Sequence, residues 1–366
     1  GRMAIYRTNL TGGGYSFAFA RELKNAMRGP SFSIGNSFDQ TGSRNLVPNY
    51  AEIINVEDTP INVSYKLFSQ DGSTMLERQV SIPPRGETDI QAGHEFGEGV
   101  YLAEFRPLNG AHRYLASVAR YSSNSPGGSE ADTYNYAFAM DAKAGNGSTQ
   151  FAPITNKGAT TYSQTNWVEI LNVREMQVTV SVKFRDQAGN ITEQSSFPLA
   201  ARNQYHLPAF AFLNKGLAGS VEISSSDPGS LIVQSAVYFN DVGSNTLQTA
   251  YVSPARIPGQ DVQAGTFNRF LEMQNEMTLI STVGGTTDLT IETRRGTELL
   301  STVQQTLGAQ TASSLDLGAS VFNTQPDSYG SIVFRAAEAR RFTAEILRIR
   351  SETSGKIDFV MPTAVQ

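Results

Sequence analysis

The residues able to do chemistry in this 366-residue chain are few, and their spacing argues against most catalytic uses. Of three histidines, His94, His112 and His206, no two stand at the spacing of a helical metal pair. His94, with Glu95 and Glu98 nearby, lies in a glycine-rich stretch that reads first as a solvated loop and second as a ligand-binding position. The absence of cysteine excludes a thiol nucleophile, a zinc–cysteine module and a disulfide scaffold. There is no nucleophile elbow, P-loop or dinucleotide fingerprint, and Gly12-Gly13-Gly14 is explained by a turn. Asp186, Asn190, Asp227 and Asp241 are scattered singly, without the ordered spacing of a calcium loop. No metal and no cofactor are therefore expected.

Carboxylates need a closer look, because a pair of them about 5–10 Å apart is the machinery of glycoside hydrolysis. Glu52, Glu169 and Glu272 recur in one pattern, an aromatic, Glu two residues on and Asn three further: Tyr50 to Asn55, Trp167 to Asn172 and Phe270 to Asn275. Recurrence argues against catalysis, since an active site needs unlike groups meeting once. Each Glu reads as a structural group that holds a neighbouring strand or an arginine, and each Asn as a cap at a strand end. No catalytic residue is expected, and the chain is not expected to be an enzyme.

The aromatics are the other candidates. Tyr134, Tyr136 and Phe138, like Tyr15, Phe17 and Phe19, alternate at the period of a strand. Such a row is either core beneath a domain junction or an exposed platform for sugar rings, for which aromatic faces are suited. Tyr162 and Trp167 fall near a second junction. The candidate ligand-binding residues are thus Tyr134, Tyr136, Tyr162, Trp167 and His94, with the polar tract 123–133 and the segment 94–99 as the loops that carry function on a rigid scaffold.

The elements that position these residues follow from an internal repeat. The three motifs lie 117 and 103 residues apart, so each unit is one domain long. After the first, Ile61, Val63, Tyr65 and Leu67 alternate with polar residues, and Val178, Val180, Val182 and Phe184 do the same after the second. Gln70-Asp71-Gly72 and Gln187-Ala188-Gly189 supply matching hairpin turns. In the third unit Gly284-Gly285 and Arg295-Gly296 compete for that turn, which leaves the register of 276–307 open. Later in each unit Gly219 to Ile223 resembles Gly330 to Phe334 and, more loosely, Gly99 to Phe105. The segment Arg335–Arg350 favours helix by composition, but its place in the repeat predicts strand. Finally, Tyr6 to Asn9 followed by Tyr15 to Ala20 matches Tyr121 to Asn124 followed by Tyr134 to Ala139, the closing hairpin of a unit.

Each unit reads as about seven short antiparallel strands. The expected fold is all-β: three tandem Greek-key β-sandwiches with immunoglobulin-like architecture, preceded by a hairpin equivalent to the end of another unit. A propeller is weaker, because strands within a unit do not themselves repeat. The expected organisation is 1–45 hairpin and linker, 46–145, 146–260 and 261–366 the three sandwiches. The start, Gly1-Arg2-Met3, does not read as a signal peptide and resembles a cut within a longer chain.

A net charge of −5, from 29 Lys and Arg against 34 Asp and Glu, makes nucleic acid a poor partner, and no apolar run is long enough to insert in a membrane. The organisation resembles the tandem immunoglobulin-like and fibronectin-III-like repeats of bacterial secreted or cell-surface proteins. That resemblance implies an extracellular, cell-surface or periplasmic protein for adhesion or ligand presentation, with a glycan or a protein as partner. The alternatives are an accessory portion of a secreted carbohydrate-active enzyme, or a surface-fibre subunit that self-associates through the N-terminal hairpin.

Overall fold

The computed structural model describes residues 2–8, 15–22, 24–38, 47–108, 112–123, 134–147, 149–244 and 246–365. The chain opens with a hairpin of β1 (Arg2–Thr8) and β2 (Tyr15–Glu22). The first sandwich contains β3 (Ser31–Asn36), β4 (Asn49–Asn55), β5 (Ile61–Phe68), β6 (Thr74–Ile82), β7 (Glu87–Gln91), β8 (Val100–Pro107), β9 (Tyr114–Ser123) and β10 (Tyr134–Asp141). Its two sheets run β3-β8-β5-β6 and β10-β9-β4-β7, all antiparallel.

The second sandwich repeats this order with β11 (Thr149–Thr155), β12 (Tyr162–Asn172), β13 (Val178–Asp186), β14 (Ile191–Leu199), β15 (Gln204–Pro208), β16 (Ala218–Ser225), β17 (Leu231–Asp241) and β18 (Leu247–Pro254). The third repeats it again with β19 (Val262–Asn268), β20 (Gln274–Ser281), β21 (Thr287–Arg295), β22 (Glu298–Leu307), β23 (Ala312–Asp316), β24 (Tyr329–Ala336), β25 (Phe342–Ser351) and β26 (Ile357–Ala364). The segment with helical composition is two strands joined by a turn. A single hairpin, β21–β22, settles the register in 276–307, with Gly296 in its turn.

Among the described residues each sandwich has eight strands rather than about seven. In the first, the additional strand is β3, which pairs with β8 although it falls within the 1–45 segment expected to be hairpin and linker. Ser31 to Asn36 is buried on both faces, so it lacks the alternation by which a half-buried strand is recognised.

A second correction concerns the repeat itself. Asn55 donates its amide to the carbonyls of Thr59, Ile82 and Pro83, and Asn172 does the same to Met176, Leu199 and Ala200, each partner 117 residues on. The third position of this set is Ser281, not Asn275: the N–H groups of Asn55, Asn172 and Ser281 each bond the loop before β7, β15 and β23. Asn275 belongs instead with Asn49 and Asn166. Those three side chains are buried, and each accepts from the N–H of the last residue of the sandwich's first strand, Asn36, Thr155 or Asn268. They tie one sheet to the other. Glu272 therefore lies outside the ladder, on a short 3-10 turn with a positive φ of 59°, and Thr278 holds the place of Glu52 and Glu169.

The hairpin β1–β2 is docked. Phe17 and Phe19 join the core of the first sandwich, while Ala18 packs with Met273, Phe359 and Met361 of the third. Register makes it the fourth copy of a closing hairpin: Arg2↔Glu22, Ser117↔Asp141, Gln234↔Pro254 and Glu345↔Ala364 correspond. All four hairpins also bulge at one place, beside Thr8, Ser123, Asn240 and Ser351. Their second strands, β2, β10, β18 and β26, pack in cyclic order, so the molecule is a closed ring with the hairpin between the third sandwich and the first. A two-stranded hairpin is marginal in water, and here the ring supplies its burial.

Candidate functional site

The junctions of the ring hold the ionisable groups that sequence reasoning singled out. In each sandwich one carboxylate occupies the ladder position shared by Glu52 with Ser117, Glu169 with Gln234, and Glu345 with Thr278. Glu52 and Glu169 are each met by an arginine from the element before, whereas Glu345 has no ion pair among the described residues. Glu52 is paired with Arg21 of β2 and accepts a bond from Ser117 at 2.9 Å. Glu169 faces Arg120 of the first sandwich at 3.9 Å, and His206 stands at the same distance. Gln234 and Asn36 donate to the Glu169 oxygens, and Arg120 donates to the Tyr238 hydroxyl at 2.9 Å while lying over the Phe138 ring.

Arg120 and Glu169 are each only 1% exposed. Burial alone pushes a carboxyl toward its neutral form, but Arg120, His206 and the two amide donors outweigh it and hold Glu169 below its ordinary value. Burial also pushes His206 below its ordinary value, partly offset by the Glu169 charge. This is a buried ion pair whose carboxylate is served by amide donors while Nε and one terminal nitrogen of Arg120 have no hydrogen bond among the described residues, a device for fixing the geometry of a junction. It is sealed from solvent, which leaves no path for a substrate.

The open space lies elsewhere, at the centre of the ring. A cavity of about 500 Å³ is bounded by Phe19 of β2, Phe138 of β10, Val252 of β18 and Val360 of β26, one apolar wall from each hairpin. Its polar groups include Lys24, Asp141, Lys143, Gln234 and Arg256. Lys24 and Asp141 neutralise one another. Lys143 is held by a backbone bridge to Phe32, and its ammonium has no hydrogen bond or ion pair among the described residues. Burial, helped by Lys24 and Arg256, pushes its pKa down to about 8. A cavity of this size with an apolar wall and an uncompensated cation suits a small ligand with a ring face and an anionic group.

The five residues expected to bind ligand do not converge. Tyr136 is 1% exposed, stacked on Phe138 and edge-on to Tyr238, so neither ring face is left for a sugar. Tyr134 is wedged against Phe17 and Tyr121 with Arg7 over its ring, clamping the hairpin onto the first sandwich. Tyr162 packs on Phe239 at the junction of the second and third sandwiches, and Trp167 on Phe210. The row is junction packing, the alternative reading of its period. His94 lies edge-on to Tyr50, and its Nδ1 accepts the Asn49 N–H at 3.0 Å, a loop anchor. Among the described residues no group of three or more His, Asp and Glu converges as a metal site, and no helix is long and apolar enough to cross a membrane. Most of the 123–133 tract lies outside the described residues, as does Gly12-Gly13-Gly14.

Sequence reasoning missed Lys143, Arg120 and Arg256. Nothing local marks them, since each is an ordinary basic residue until another repeat folds over it.

No family model matches the chain, and no curated protein does. Among solved structures it is similar to a Bacteroides uniformis β-glucuronidase at 7% identity and a TM-score of 0.15, covering 69% of this chain and 32% of that one. A GH2 β-galacturonidase from Eisenbergiella tayi gives 9% identity, a TM-score of 0.15 and coverages of 73% and 44%. The viral chemokine binding protein R17 of rodent gammaherpesvirus Peru gives 5% identity and a TM-score of 0.19, covering 95% and 88%. The chain spans about a third of the length of the glucuronidase it matches. Similarity of this extent carries neither an activity nor a ligand over to this chain.

Proposed function

We propose that this is a non-enzymatic binding and structural protein of the secreted or cell-surface class, whose ring of sandwiches presents a central cavity to a small anionic ligand such as an acidic sugar. The observation that carries this reading is Lys143, a cation without a partner among the described residues, beside an apolar wall in a cavity of about 500 Å³. A protein that had only to stack sandwiches would gain by replacing it, because an uncompensated ammonium is costly to desolvate. The repeated carboxylates offer no competing catalytic pair: Glu52 and Glu169 are each committed to an arginine.

The test is calorimetric titration of the full chain with neutral and uronic-acid oligosaccharides, beside a Lys143→Met variant. Binding confined to the acidic compounds and weakened about ten-fold or more in the variant supports the reading, that factor being some 1.4 kcal/mol of charge-assisted contact. No binding, or binding indifferent to Lys143, overturns it.

A further inference from the structure

The chain's seven lysines fall into three kinds. Lys24, Lys66, Lys157 and Lys183 each lie against a carboxylate, of Asp141, Glu77, Glu276 and Glu222 respectively. Lys215 and Lys356 are exposed. Lys143 alone lines the central cavity with no hydrogen bond or ion pair to its amine among the described residues. The charged groups that act on it are Lys24, Arg256 and Asp141, and Asp141 is already taken by Lys24. A lysine set beside other cations and an apolar wall gives up its proton more readily than one in water, and the neutral amine that results is a nucleophile.

A second cation borders the same space and differs in kind, because a guanidinium is not deprotonated in proteins. The Nε of Arg256 has no hydrogen-bond partner, and its Nη1 reaches only the Val365 carbonyl, at 3.4 Å. Glu345 feels the charge of Arg256, but neither carboxylate oxygen has a hydrogen-bond partner among the described residues. The cavity therefore offers two unlike positive groups beside its apolar wall. One is a planar fork suited to an acid group, and the other is an amine able to form a covalent bond.

We propose that the central cavity captures a small carbonyl compound covalently, as an imine on Lys143, with an acid group of the same ligand held by Arg256. This rests on the reading of the cavity as an anion site and narrows the ligand to an acid with a free aldehyde or ketone, of which an acidic sugar with a reducing end is one example. The neutral Lys143 Nζ gives its electron pair to the carbonyl carbon, so that a C–N bond forms as the C=O π bond breaks, and one proton passes from nitrogen to oxygen. The hydroxyl then leaves as water with the second N–H proton while the nitrogen lone pair closes the C=N bond. Nothing is oxidised or reduced. Protonation of the imine from solvent restores a positive charge at Lys143, which keeps its attraction for the ligand's acid group.

The probe is para-formylbenzoate, which carries a ring face, an acid group and an aldehyde. The full chain is incubated with it near the Lys143 pKa of about 8, and samples are reduced with sodium borohydride, whose hydride turns an imine into a stable secondary amine. Peptide mass spectrometry then locates the adduct. Lys143 should be modified about ten-fold or more faster than Lys215 or Lys356, because far more of it is neutral than of a lysine at the ordinary 10.5. Benzaldehyde, which lacks the acid group, should modify Lys143 about ten-fold or more slowly, and Arg256→Met should abolish that difference between the two aldehydes. Modification of Lys143 no faster than of the exposed lysines, equal modification by the two aldehydes, or a difference that survives Arg256→Met would overturn the proposal. Lys143-dependent binding of acidic oligosaccharides with no reducible adduct would sink covalent capture and leave the anion reading standing. An acid-selective adduct on Lys143 without oligosaccharide binding would support capture and sink the acidic-sugar reading.

Discussion

The first and second sandwiches meet across a carboxylate that is answered, whereas the second and third meet across one that is not. Glu169 has Arg120 and His206 at 3.9 Å and amide donors from Gln234 and Asn36. Glu345, at the same rung of the third sandwich but on the other strand of the pair, is equally buried. Its two oxygens have no hydrogen-bond partner within normal distance among the described residues. Burial raises its pKa, and Arg256 and Ser253 beside it only partly offset that. The same rung therefore favours the anion in one junction and disfavours it in the other. What differs is the arginine. Arg120 stands on β9 within the strand ladder, while Arg256 follows β18 in a connection that also borders the central cavity. A junction built on a strand fixes its charge; one built on a connection leaves room.

The largest way to break this contrast is to remove the answering cation. Arg120→Met should cost about 3–5 kcal/mol in chemical denaturation, because Glu169 is left buried and unpaired. A loss below about 1 kcal/mol, of the size expected for an exposed pair, would mean that the two junctions do not differ. Coupling should appear in the double variant: Arg120→Met with Glu169→Gln should recover about 0.5–3 kcal/mol relative to the sum of the single changes, measured as a double-mutant cycle. In the opposite direction, Glu345→Gln should stabilise the protein at pH 7 by about 1–3 kcal/mol, because the neutral amide carries none of the charge that burial opposes there. Unchanged or reduced stability in that variant would show that Arg256 answers Glu345 after all.

Acid should separate the junctions by sign. The lowered pKa of Glu169 gives a stabilisation present above its ordinary value of 4.5 and lost as pH falls below it. The raised pKa of Glu345 gives one fully present below 4.5 and lost as pH rises through the higher folded value. The advantage of Glu345→Gln over the parent should therefore shrink as pH falls from 7 towards 4.5, while the deficit of Glu169→Gln persists over that range. Parallel thermal scans check this. The smallest effect is at the cavity: Lys143→Met should be more stable than the parent at pH 7, and the gap should close between about 8 and its ordinary 10.5 as the lysine loses its proton in both states.

The strand pattern was legible in particular residues. Ile61 to Leu67 and Val178 to Phe184 announce half-buried strands, Gly72 and Gly189 announce turns with φ near 86°, and the Tyr15 row announces a fourth closing hairpin. The aromatic-x-Glu-x-x-Asn pattern was sound for two units and misleading for the third. There Phe270 and Glu272 fall before the strand, and Asn275 takes the place of Asn49. The better marker was the Asn directly before the aromatic at 49 and 166, whose buried side chain is the feature shared by all three sandwiches. β3 escaped because a strand covered on both faces carries no period.

By itself, then, the sequence determined the elements and their repetition, because alternation, turn glycine and β-branched or aromatic content act over a few residues at a time. Only the tertiary structure decided which arginine meets which carboxylate, that the aromatic rows are spent on junctions, and that four hairpins close around Lys143. Those outcomes depend on groups more than a hundred residues apart being brought within a few ångströms, where desolvation, which no local pattern encodes, sets the charge and the role of each.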